Sequence, residues 1–110
     1  MASVLVDTPD GWELPVGGWT VTRCFVDPAA FGLLVDGGTG DILRVYLEAP
    51  FAFTASNGER ETFGGSRDPL SFAPLLRLMG RAVSAVKISP NSDLAIEFAD
   101  GSRLDAAPIP

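Results

Sequence analysis

At 110 residues, with a formal net charge of −6, the chain has the length of one domain and an apolar content sufficient for a packed core. It contains no histidine and a single cysteine, which excludes Ser-His-Asp and Cys-His catalysis and an ordinary zinc centre. One lysine and seven scattered arginines exclude the basic patch that nucleic acid or an anionic membrane surface requires, so a protein partner, if charge selects it, is expected to be basic.

Residues 1–18 read as a turn-rich lead, punctuated by Asp7, Pro9, Asp10, Gly11, Pro15, Gly17 and Gly18, with one short strand over 12–16. Residues 19–105 read as a single α+β domain. In WTVTRCFV, residues 19–26, β-branched and aromatic side chains alternate, which predicts a strand broken by Asp27 and Pro28. FGLLV, residues 31–35, is the next strand, and the glycine-rich DGGTGD that follows predicts a hairpin. ILRVYLEAPFAFT, residues 42–54, exceeds an ordinary strand and carries Pro50 in its middle, so it divides in two or bends, with Phe51 and Phe53 on one face. Ser56, Asn57 and Gly58 turn the chain into a polar return over 59–63, and Gly64 and Gly65 break it.

The segment DPLSFAPLLRLMG predicts the one helix, over 71–79. Ser71 is placed to cap it, Leu70 and Leu75 to staple it, and Gly80 to stop it, with Pro74 inside the first turn where no donor is needed. At 3.6 residues per turn, Phe72, Leu75, Leu76 and Met79 form its buried face. Beyond it, residues 82–89 and 94–99 alternate as strands around a Pro90-Asn91 turn. Asp100-Gly101 is the strongest hairpin signal in the chain, residues 102–105 return as the last strand, and residues 106–110 form a frayed tail. The expected architecture is α+β, a curved antiparallel sheet of about seven short strands with one helix packed on it.

Few residues carry chemistry. Cys24 lies among apolar strand neighbours and reads as a small hydrophobe, and its odd thiol suits a reducing compartment, the cytoplasm. No stretch has the length of a membrane span. Asp36 and Asp41 bracket a glycine turn but lack the ligand spacing of a calcium loop, so no metal or cofactor is expected. Glu48, Glu59, Glu61 and Glu97 are the carboxylates available for acid-base work, and spacing brings no two of them together. Trp12 and Trp19 are the candidate binding anchors, with core filling as the competing role.

Taken together, FGLLVDGG, EAPFAFT, APLLRLMGRAV and LAIEFADGSRL resemble an uncharacterised family of small actinobacterial proteins, over residues 21–104. The resemblance rests on turn glycines and core residues, and implies a fold without implying a catalytic residue. Size, acidity and the two tryptophans point to a non-enzymatic protein-binding domain, of the immunity or inhibitor kind, acting on a basic partner. The alternatives are a carboxylate-dependent hydrolase or small-ligand binder, and a homodimer formed through a sheet edge.

Overall fold

The structure is a computed structural model and describes residues 6–27, 30–48, 50–63 and 69–106. Among these, ten strands and one helix follow in order: β1 (Val6–Thr8), β2 (Gly11–Leu14), β3 (Thr20–Asp27), β4 (Ala30–Asp36), β5 (Ile42–Glu48), β6 (Phe51–Thr54), β7 (Arg60–Phe63), a 3₁₀ helix (Pro69–Leu78), β8 (Val83–Ile88), β9 (Leu94–Phe98) and β10 (Arg103–Ala106). The fold is α+β and mostly sheet, with every strand pair antiparallel. Pro28, Gly64, Gly65 and residues 107–110 of the tail, to which breaks or fraying were assigned, lie outside the described residues, whereas Ala106, assigned to the same frayed tail, is paired in β10 with Leu94 and Phe51.

Where the sequence predicts about seven strands in one sheet, the described residues form two sheets. Seven strands run in the order β1-β2-β8-β9-β10-β6-β7, and three in the order β3-β4-β5. Alternation reveals a strand but not its neighbour, because pairing depends on which apolar faces meet in three dimensions. The N-terminal lead shows this, since β1 and β2 join the large sheet beside β8, and Val16 just after them is fully buried. Pro50 divides the long apolar stretch, leaving β5 in the small sheet and β6 in the large one.

One apolar cluster joins the inner faces of both sheets and the helix. It includes Val21 from β3, Phe31, Leu33 and Val35 from β4, Val86 from β8, Ile96 and Phe98 from β9, and Leu104 from β10. Four rings tie the layers together: Phe31, Phe51, Phe63 and Phe72 pack with centroids 5.5 to 6.4 Å apart. Backbone bonds link β3 to the start of β8, where Val21 N–H donates to the Arg81 carbonyl (2.9 Å) and Val83 N–H to the Trp19 carbonyl (2.7 Å).

The helix corrects the predicted one. It runs ten residues from Pro69 with three residues per turn, so the buried side chains are Phe72, Leu75 and Leu78, spaced by three. Leu76 and Met79, assigned to the buried face at 3.6 residues per turn, are 44% and 52% exposed. Ser71 does not cap: it stands inside the helix, and its buried hydroxyl has no hydrogen-bond partner among the described residues. Leu70 is exposed, so it forms no staple with the buried Leu75. Pro74 sits in the middle rather than in the first turn, where its missing donor and its ring clash disfavour the four-residue ladder of an α-helix. The tight winding persists at the end, where Met79 N–H donates to the Leu76 carbonyl (3.2 Å) and Arg81 N–H to that of Leu78 (3.0 Å). Gly80 does stop the helix, at a φ of 86°, and its N–H donates to the Val21 carbonyl (2.8 Å).

Candidate functional site: an open trough on the large sheet

Alternation turns one face of the large sheet toward the core and leaves the other free. Strand register then assigns the residues of the free face to two rungs. One rung crosses Glu13, Lys87, Ala95, Asp105, Ala52 and Thr62; the other crosses Ala85, Glu97, Arg103, Thr54 and Arg60. At about 4.8 Å per strand, the first rung spans about 24 Å from β2 to β7. Small residues at Ala52 and Ala95 leave the middle of this face low, and an open trough of about 910 Å³ lies over it.

Ion pairs fix the floor. Lys87 Nζ stands 3.2 Å from Glu97 Oε1, and Arg103 makes a two-pronged contact with Asp105, two residues away on the same face of β10, at 2.9 Å from Nε and 2.6 Å from the terminal nitrogen. Glu97 lies 3.9 Å from the other terminal nitrogen of Arg103. The hydrogen bond that Arg103 donates to Asp105 is the first cause raising the Arg103 pKa above its ordinary value, partial desolvation opposing it. Polarity varies along the trough. Asp10, Glu13 and Asp93 border it on the β1, β2 and β8 side, whereas Arg60, Thr62 and Thr54 border it on the β6 and β7 side. Arg60 is exposed and forms no ion pair among the described residues.

The structure separates the two tryptophans. Trp12, 39% exposed, borders the trough in β2 between Asp7 and Ile88. Trp19 precedes β3, packs against the core and lies under Gly37, away from the trough lining. Of Glu48, Glu59, Glu61 and Glu97, register places Glu97 alone on the free face of the large sheet, where it stands outside the trough lining, since Glu61 falls on the opposite side of β7 and Glu59 belongs to the β6–β7 turn. Glu48 ends β5 in the other sheet.

Asp36 and Asp41 serve their hairpin: Asp36 Oδ1 accepts from Gly38 N–H (2.7 Å), and Asp41 Oδ2 from the Thr39 hydroxyl (3.3 Å). Cys24 is partly buried against the core, and desolvation raises its thiol pKa, which lowers its thiolate fraction and its nucleophilicity. Arg60, Lys87, Arg103, Asp105, Thr54 and Thr62 were not singled out as site residues. Their only signal is a polar residue at every second strand position, shared by any wet strand face.

The fold and site define a mostly-sheet antiparallel α+β domain with an open, charged trough on its larger sheet. The chain belongs to a family of unknown function, DUF6188, whose model matches residues 12–110. No curated protein and no solved structure matches it. None of the described helices is long and apolar enough to cross a membrane.

Proposed function

We propose that the protein is a non-enzymatic binding domain that lays an extended segment of a protein partner across the trough, acting in the cytoplasm. The observation that carries this reading is the polarity of the trough, with carboxylates of Asp10, Glu13 and Asp93 at one side and the Arg60 guanidinium at the other. A segment with a basic side chain toward β2 and a carboxylate toward β7 complements it, and the net charge of −6 favours encounter with a basic partner. Trp12, exposed at the trough border although it alternates with Glu13 along β2, is the aromatic side chain placed to serve as an anchor near the sheet edge. Asp105, the carboxylate on the trough floor, is engaged by Arg103 as an ion pair, which favours a structural role for it over acid-base chemistry.

A library of extended peptides carrying lysine at one end and glutamate at the other, in both chain directions and with neutral controls, tests the reading through Trp12 fluorescence. Bipolar peptides are expected to bind more tightly than neutral ones, more weakly as salt rises, and more weakly to Glu13→Gln and Arg60→Ala. Equal affinity for bipolar and neutral peptides, unaffected by salt, refutes it.

A further inference from the structure

The described sheets present four edge strands, and three of them are poor templates for another chain. β1 and β7 have three and four residues, and β3 carries a bulge between Val21 and Arg23 while its start bonds to Arg81 and Ala82. β5 differs: it has seven residues, no proline and no bulge against β4.

Its open side can be read from the hairpin. Gly37 N–H donates to the Asp41 carbonyl (3.0 Å), and bonded pairs then alternate along the ladder, so Leu43, Val45 and Leu47 bond to β4. The N–H and C=O groups of Ile42, Arg44, Tyr46 and Glu48 consequently point away from the sheet. Ile42 and Tyr46 are 56% and 50% exposed beside them. Tyr46 packs on Phe25 (5.9 Å between centroids) across Gly32, and the Arg44 guanidinium lies 5.6 Å from the centre of the Phe25 ring.

We infer that β5 is a homodimerisation edge, pairing antiparallel with β5 of a second copy about a two-fold axis at Val45. In this register Arg44 stands opposite Tyr46 of the second copy, twice, and Ile42 opposite Glu48, twice. The outward groups then close about eight backbone hydrogen bonds and join two three-stranded sheets into one of six. Self-complementarity identifies the occupant as a second copy. Sliding by one step in one direction sets Arg44 against Arg44, a like-charge pair, and in the other sets Arg44 against Glu48 but leaves Ile42 beyond the strand end and closes about six backbone bonds rather than eight. At the two-fold register, each cation instead meets the aromatic ring of its partner.

The test is sedimentation of the full chain from low micromolar to millimolar concentration. The wild-type chain is expected to show a monomer–dimer equilibrium. Tyr46→Lys sets lysine against arginine at both pairs and is expected to weaken association by about ten-fold or more. Adding Arg44→Glu converts both pairs to opposite charges and is expected to restore the dimer. Melting curves establish that each variant folds, and Ile42→Pro, which removes an outward donor not used by β4, serves if Tyr46→Lys does not fold. A wild-type chain that stays monomeric throughout, or variants that dimerise as the wild type does, overturns the inference. A double variant that remains monomeric overturns the register.

Discussion

Truncation of neighbouring leucines distinguishes the two possible windings of the helix. Leu78 is fully buried under a period of three, whereas a period of 3.6 buries Leu76 and Met79 instead. Leu78→Ala removes three carbons from the core, a transfer loss of about 2.4 kcal/mol at about 0.8 kcal/mol per carbon. A cavity that collapses only in part raises the total to about 3–5 kcal/mol. Leu76→Ala acts on a side chain 44% exposed, so it forfeits a little over half of that transfer term and encloses no cavity. Its expected loss is about 1–1.5 kcal/mol, and that of Met79→Ala is similar. Urea denaturation at constant slope measures the difference directly, and in thermal melts Leu78→Ala is expected to fall by about 10 °C or more relative to Leu76→Ala. Equal losses at Leu76 and Leu78, or a larger loss at Met79 than at Leu78, refute the three-residue period.

Other elements yield predictions of their own. A Cβ at Gly37 meets the Trp19 ring at 2.7 and 2.9 Å, so Gly37→Ala displaces the indole, is expected to destabilise by about 1–3 kcal/mol and shifts the tryptophan emission; unchanged emission and stability count against this packing. Ser92 occupies a φ of 67° in the turn between β8 and β9, so Ser92→Gly is expected to stabilise by about 0.5–1 kcal/mol, and a destabilised variant contradicts the assigned conformation. Asp100 accepts from the Ser102 hydroxyl (2.5 Å) and N–H (2.9 Å) and pairs with Arg81 (2.6 Å). The Ser102 hydrogen bonds, ahead of the Arg81 charge, lower its pKa. With the folded value below the unfolded one, its contribution is complete above the unfolded pKa and is lost as pH falls through the folded one. Asp100→Asn is therefore expected to flatten the melting temperature below about pH 4, and an unchanged acid limb argues against the linkage.

Much of the local structure was legible. The Asp100-Gly101 turn sits where the sequence places it, with Gly101 at a φ of 91°, Pro50 separates two strands, and Gly80 ends the helix in a conformation that favours glycine. The helix period was misread because Phe72 and Leu75 fit both windings. Only the third buried position, Leu78 rather than Leu76 and Met79, separates them, and packing against the sheets selects it. The trough was not legible at all, since Arg60 and Asp105 become neighbours of one cavity only after β10 inserts between β9 and β6.

By itself the sequence determined most of the strands from β3 onward, though not β1, together with the turns that join them and the chemistries excluded by the lack of histidine and of a second cysteine. These follow from backbone sterics and residue inventory, which act over a few positions or over composition alone. Tertiary structure decided the division into two sheets, the winding of the helix, the face that became the trough and the strand left open at its edge. Each depends on contacts between segments far apart in the chain, whose apolar faces select one another only when packed.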